Sequence, residues 1–274
     1  MLRLSHLIPI AAFLLTGCLS DPVREEAALR TFLEEEKLNG NFCLYDNGHG
    51  TFTLLDAKSF SDSLYPTGQS FQLILTLMAL ETGLIRDDSS LLSWTSSSAD
   101  SQASQTTRTL REAFSQCSTP AFQQVARSLE PKKLVSFLDT LGLYKRLAAI
   151  HPEQDPGQFW LKPNAGISLD EQIGLVKKLY FEKLPFQKRT QQLVKKLMMQ
   201  ETTPAFQLAY LSTLQQQSQQ STTGWLVGWV EENQHPYFFA LHTQSISDRP
   251  ELAATQVSLL KKVLRSKGFL AGKK

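Results

Sequence analysis

One segment, residues 66–83, constrains the fold more than any other: it reads PTGQSFQLILTLMALETG. The run from Phe71 to Leu80 is apolar around almost the whole circumference of a helix, and helices of this kind are buried. Gly83 stands where a helix commonly ends in a left-handed residue. The segment therefore predicts a central helix that the rest of the chain covers on more than one side.

The N-terminus predicts export and a lipid anchor. Residues 1–17 carry one early basic residue, Arg3, and then LIPIAAFLL, which is shorter than the roughly 20 residues of a membrane span and typical of a signal peptide. The run continues into LLTGC, which resembles the lipobox of bacterial lipoproteins and implies that Cys18 becomes the lipidated first residue. An ordinary secretory signal with a chance cysteine is the alternative. Leu19 and Ser20 follow, and because neither is the Asp associated with inner-membrane retention, they favour the outer membrane, facing the periplasm.

Composition narrows the kind of partner. The chain has 28 basic and 26 acidic residues, so its near-balanced charge suggests no nucleic-acid partner. The five His are scattered, which predicts no metal site, and nothing calls for a cofactor. Cys43 and Cys117 could form a disulfide in an oxidising compartment, but the sequence does not bring them together, and buried thiols are the expectation.

The order of elements predicts an α+β fold. After a tether and helix at 18–40, residues 41–274 form one domain, in which a hairpin comes first, helices follow and antiparallel strands come last. The sheet must then be assembled from both chain ends, with flanking helices and a helical subdomain between. The predicted elements are an N-terminal helix at 22–37, the hairpin at 41–55, an exposed loop at 87–108, strands at 205–213, 224–231 and 237–243, a Gln/Ser-rich turn after the first of these, and a helix at 250–266.

Several strings in this order resemble the penicillin-recognising serine acyltransferases, and among them the class D, or oxacillinase-type, β-lactamases and related penicillin-binding sensor domains. The resemblance runs collinearly from Asn41 to Leu241. The strings that carry it are LYD, FQLILTLMALETGLI, TLREAFSQCSTPAFQQVAR, FWLKPNAGISLDEQIGLVKKLY, LPFQKRTQQLVKKLMMQETTP and GWLVGWVEENQHPYFFAL.

The first motif of that family, Ser-x-x-Lys, is missing. The motif needs its i, i+3 spacing because that spacing places nucleophile and base on one helix face. Here the resemblance places Gln69 at the nucleophile and Gln72 at the lysine, and an amide has no titratable proton near neutral pH. A shifted register would offer Ser70, but its i+3 partner is Leu73.

The second motif, Ser-x-Val before a proline, maps to Cys117, Ser118 and Thr119. Cys117 is a conceivable substitute nucleophile, yet no nearby His supports a thiolate, and a small buried side chain is the preferred interpretation. Of the family's Tyr-Gly-Asn only Tyr144 remains.

The third motif, Lys-Thr-Gly, aligns with Leu211, Ser212 and Thr213, which removes the cation that would hold a substrate carboxylate. The string TTG at 222–224 is a rival, although it follows the turn. Trp160 matches the tryptophan of the family's omega loop. We expect it to pack in the core rather than to contact a ligand.

The losses fall on polar catalytic groups, while the scaffold strings persist. The sequence therefore predicts a noncatalytic lipoprotein that keeps a β-lactamase-like scaffold and binds an envelope protein or a cell-wall peptide, with Ser70, Ser118 and Trp160 as candidate cleft residues. The alternative is a divergent acyl-enzyme that binds or hydrolyses β-lactams.

Overall fold

The computed structural model describes residues 22–96, 104–218, 221–246 and 251–272. The predicted signal peptide at 1–17 and the predicted lipidation site Cys18 lie outside these residues. No helix in the described ranges has the length and apolar character needed to cross a membrane.

The β-structure is dominated by one large sheet. The strands are β1 (Val23–Glu25), β2 (Asn39–Asp46), β3 (Thr51–Leu54), β4 (Tyr65–Pro66), β5 (Leu91–Ser96), β6 (Ser104–Thr109), β7 (Gly166–Ile167), β8 (Met199–Thr202), β9 (Phe206–Ser218), β10 (Ser221–Glu232) and β11 (His235–Ser245). The large sheet has the order β1-β3-β2-β11-β10-β9-β8, and β4-β7 and β5-β6 form two small ribbons.

The large sheet joins the two ends of the chain. Strand β2 pairs antiparallel with β11, with Cys43 opposite Ala240, whereas the short edge strand β1 is parallel to its neighbour, β3. The predicted hairpin and the three C-terminal strands thus lie in one mainly antiparallel sheet. This confirms the α+β prediction.

The helices cover the two faces of the sheet unequally. They are α1 (Ala28–Glu35), α2 (Lys58–Ser61), α3 (Gln72–Glu81), α4 (Leu110–Ser115), α5 (Thr119–Ser128), α6 (Pro131–Thr140), α7 (Tyr144–Leu147), α8 (Leu169–Tyr180), α9 (Lys188–Met198) and α10 (Leu252–Ser266). Helices α1 and α10 pack on one face around Leu226, and the larger core, which includes Val227, lies between the other face and the remaining helices. Because successive strand residues point to opposite faces, β10 contributes to both cores.

Helix α3 occupies the centre of the larger core. Every residue from Gln72 to Leu80 is buried, and the side chains on all sides of the helix belong to this core. Gly83 follows the helix with a φ of +73°, as the left-handed helix end predicts. The predicted burial of this helix is therefore confirmed, and its N-terminal end meets the inner face of the sheet.

The N-terminal helix is shorter than predicted. Helix α1 begins at Ala28, and the preceding Val23–Glu25 forms the edge strand β1. Backbone hydrogen bonds from Phe52 N to Pro22 O and from Glu26 N to Leu54 O fix this segment beside β3. Sheet pairing thus takes precedence over the helical pattern at Pro22.

Two segments predicted as loops contain strands. Within 87–108, β5 and β6 pair, and the hydroxyls of Ser93 and Thr107 lie 2.9 Å apart across the pair. In the Gln/Ser-rich tract, β9 continues to Ser218, and Gln215 pairs with Thr223. The loop prediction at 87–108 was wrong, and the turn between β9 and β10 is shorter than predicted. Polar strands lack an apolar alternation, and their backbone hydrogen bonds depend on tertiary pairing.

Candidate functional site

The candidate site lies where three elements meet at the start of α3. A 3-10 turn, Gly68–Phe71, leads into the helix, the loop before α5 carries Cys117, and β9 forms the opposite wall. The loop that carries Trp160 lies against the same turn, since Phe71 and Trp160 stack with ring centroids 6.4 Å apart. Gln69 and Gln72 thus lie at the end of the buried helix, as predicted from the sequence.

Gln72 is tied to the second-motif loop. Its side chain is 1% exposed, and Nε2 donates to the carbonyl oxygen of Phe114 at 3.1 Å and to Cys117 Sγ at 3.3 Å. Because a carboxamide neither gains nor loses a proton near neutral pH, this group holds the loop in place and cannot act as a base.

Gln69 is half-buried and reaches across the site. Its Nε2 donates to Thr119 Oγ1 at 2.5 Å, which joins the turn before α3 to the first residue of α5. A primary amide is a poor nucleophile compared with an activated hydroxyl or thiolate. The contact stabilises the wall of the site and offers no acyl acceptor.

Ser70 is buried below the site surface. Its Oγ donates to the carbonyl oxygen of Thr67 at 2.7 Å and accepts from Gln172 Nε2 at 2.9 Å. Both its partners are neutral, so neither can take up the hydroxyl proton. The geometry gives Ser70 a structural role in fastening α8 to the turn.

Cys117 is strained in its backbone and shielded in its side chain. Its φ is +50°, a left-handed conformation that is rare for a residue with a side chain. Sγ donates to the carbonyl oxygen of Ser212 at 3.0 Å, and burial raises the pKa of the thiol to about 11. The thiolate is the nucleophilic form, so at neutral pH this cysteine is almost entirely in its unreactive form.

Cys43 lies elsewhere, in the centre of β2. It is fully buried, and burial is the main cause that raises the pKa of its thiol well above the usual value, with a smaller contribution from Asp170. Cys43 and Cys117 are both free thiols. The disulfide that the sequence left open is not formed between them.

Strand β9 divides the third-motif residues between the two faces of the sheet. Leu211 belongs to the larger core beside α3, whereas Ser212 Oγ donates to Gln256 Oε1 of α10 at 3.3 Å on the other face. Ser212 meets the site through its carbonyl oxygen, which accepts from Cys117. The rival Gly224 of TTG also faces α10, because a Cβ there would lie 2.5 Å from Gln256 Nε2.

The other residues singled out from the sequence lie in different parts of the structure. Ser118 is the residue before α5 and makes no side-chain capping bond. Trp160 is 1% exposed, and its Nε1 has no hydrogen-bond partner among the described residues. Tyr144 opens α7, and Arg146 Nη2 binds Glu171 Oε1 at 2.7 Å.

Sequence reasoning missed Gln172 and Gln215. Gln172 holds Ser70, and Gln215 Nε2 donates to the carbonyl oxygen of Leu161 at 2.9 Å, which links β9 to the Trp160 loop. The available signal was the period of two along β9, which places Gln215 on the same face as Leu211 and Thr213 once the strand is extended. Across the ranges that the structure describes, no group of three or more His, Cys, Asp or Glu side chains is arranged to hold a metal ion.

A family profile covers most of the chain. The family profile described as the penicillin binding protein transpeptidase domain matches residues 45–264. The chain belongs to this family.

Its relatives include class D enzymes. The chain is 30% identical to β-lactamase OXA-20 of Pseudomonas aeruginosa over 207 residues, which cover 72% of this chain and 74% of that protein. It is 27% identical to β-lactamase OXA-5 of Pseudomonas aeruginosa over 265 residues, or 96% and 97% of the two chains. Among solved structures, the class D β-lactamase YbXI from Nostoc superposes with a TM-score of 0.76 at 25% identity, covering 88% of this chain and 99% of that one.

Proposed function

We propose that the protein is a noncatalytic lipoprotein that faces the periplasm and uses its class D-like scaffold for binding. The observation that carries the proposal is the pair of carboxamides, Gln69 and Gln72, at the positions where the resemblance places nucleophile and base. Each amide donates to a neighbouring group of the protein, Thr119 for the first and Phe114 and Cys117 for the second.

The surrounding groups do not replace the missing pair. Ser70 is buried between neutral partners, and the thiol of Cys117 remains protonated at neutral pH because burial raises its pKa to about 11. Loss of a nucleophile and base that act as a unit costs about 10⁶ in rate. The apolar Leu211 also stands where the resemblance places a lysine, so a substrate carboxylate would meet no cation from that position.

The partner in this proposal is an envelope protein or a cell-wall peptide. The lipid on Cys18 attaches the protein to the membrane. Support comes from the uneven pattern of change: the two cores of the scaffold are intact, while the polar groups of the family motifs are replaced. A fold alone does not establish an activity. The retained scaffold and the altered site favour binding over chemistry.

The competing function is a divergent acyl-enzyme, which is favoured by the similarity to β-lactamases over almost the whole chain. Nitrocefin hydrolysis by the purified protein distinguishes the two. We expect no turnover above that of a sample without protein. Turnover that disappears in Ser70→Ala or Cys117→Ala would support the enzyme and identify its nucleophile.

The lipid anchor has its own test. Replacing Cys18 with Ala should leave an unprocessed precursor or a soluble periplasmic form, because stable attachment needs two or more acyl chains. Cell fractionation and lipid labelling measure this outcome, with Cys43→Ala as the matched cysteine control. Recovery of Cys18→Ala in the same outer-membrane fraction with the same lipid label would contradict the anchor.

A further inference from the structure

Gln215 crosses the site from the sheet to the opposite loop. It lies two residues beyond Thr213 on the same face of β9, and its Nε2 donates to the carbonyl oxygen of Leu161 at 2.9 Å. Leu161 follows Trp160 in the loop that lines the far side of the site. The Gln215 side chain therefore spans the gap between β9 and the loop that carries Trp160.

Gly68 leaves room for the end of the Gln215 side chain. Gly68 has a φ of +52°, and a Cβ built on it would collide with Gln215 Oε1. The positive φ favours glycine at position 68, and a side chain there would have to displace the end of Gln215. Gly68 is the residue directly before Gln69, which places the amide beside the nucleophile position.

The Gln215 side chain is half-buried, and its two polar atoms differ in their contacts. Oε1 is buried and has no hydrogen-bond partner among the described residues. A buried acceptor without a partner is unfavourable, so the position must be held by other contacts. The Nε2 bond to Leu161 and the pairing of Gln215 with Thr223 across β9 and β10 supply them.

We propose that Gln215 is a built-in plug that closes the cleft beside Gln69, where the family resemblance places a substrate. This inference goes beyond the proposed loss of catalysis: the carboxamides at 69 and 72 predict that no acyl-enzyme forms, whereas the plug predicts that β-lactams do not bind even noncovalently. The binding surface of the protein then lies outside this cleft.

The first test measures how strongly the Gln215 side-chain amide is protected from exchange with water in the native protein. The side-chain amide signal of Gln215 is assigned by comparing ¹⁵N NMR spectra of the native protein and Gln215→Ser, and Gln216, which is exposed on the same strand, is the matched control. We expect the Gln215 amide protons to exchange with water at least about 10-fold more slowly than those of Gln216, because Nε2 is part-buried and hydrogen-bonded to Leu161 whereas Gln216 is exposed. Equal exchange rates would overturn the proposal.

The second test uses ampicillin as the probe. In Gln215→Ser, millimolar ampicillin should shift the backbone amide signals of Gly68 and Leu161, while the native protein and Gln216→Ser should show no shift. Equal shifts in the native protein, or none in Gln215→Ser, would overturn the closing role. Binding without a covalent adduct would leave the noncatalytic function intact, so the two proposals fail separately.

Discussion

At the scale of single residues, the site is held by neutral hydrogen bonds, and two of the donors stand where the family resemblance places the nucleophile and the lysine. Gln69, Gln72 and Gln215 each donate to a neighbouring wall of the site. Carboxamides have fixed protonation, so these contacts persist across the physiological pH range. These three amides therefore offer no proton transfer where an acyl-transfer site would need it.

One buried residue, His242, is expected to make the stability of the protein sensitive to acid. His242 lies between Tyr65 and Trp225, with ring centroids 4.3 and 4.9 Å away, and burial lowers its pKa to about 3. The unfolded chain takes up a proton at this residue near pH 6.5, at a higher pH than the folded protein does. The stability contributed by the neutral ring is therefore full above that pH and falls as the pH drops toward 3.

We expect His242→Phe to lose part of this acid sensitivity. The free energy of unfolding of the native protein should fall by an additional amount on the order of 3 to 5 kcal/mol between pH 7 and pH 3, relative to the variant. Urea denaturation of the native protein and the variant across this pH range measures the difference. The same pH dependence in His242→Phe and the native protein would show that His242 does not titrate in this way.

At the scale of elements, the start of a helix can be predicted from the local sequence where neighbouring residues satisfy one another's hydrogen bonds. Helix α8 begins after Ser168, whose side chain accepts from Glu171 N while Glu171 accepts from Ser168 N. The string SLDE at 168–171 is typical of such a capping box. The start of β1 and the hairpin β5-β6 could not be predicted in this way, because their hydrogen-bond partners are distant in sequence or lie on polar strands.

Removal of this helix cap should have a measurable cost. Ser168→Ala is expected to lower the free energy of unfolding by about 1 kcal/mol, the usual cost of losing an N-cap. Chemical denaturation measures it, and Ser128→Ala, which removes an exposed hydroxyl bonded to Gln124 O, should change stability by less than about 0.5 kcal/mol. Equal effects of the two substitutions would contradict the role of the cap.

At the scale of the whole molecule, the sheet assembled from both chain ends was predictable because the order of elements and the family strings agree. The site was predictable in part: Gln69 and Gln72 lie where the helix places them, but the side chain of Ser212 points to α10. Gln215 was missed because its role depends on the length of β9 and on the close approach of Gly68. Such contacts arise only when distant segments pack.

The most direct test of the central claim is the intact mass of the protein after incubation with penicillin. We expect the mass of the native protein to remain unchanged, while a class D β-lactamase treated in parallel shows that the conditions support acylation. The reason is that neither Gln69 nor Gln72 can supply the attacking atom or accept its proton. A stoichiometric increase by the mass of the penicillin, mapped to Ser70, Ser118 or Cys117, would contradict the account.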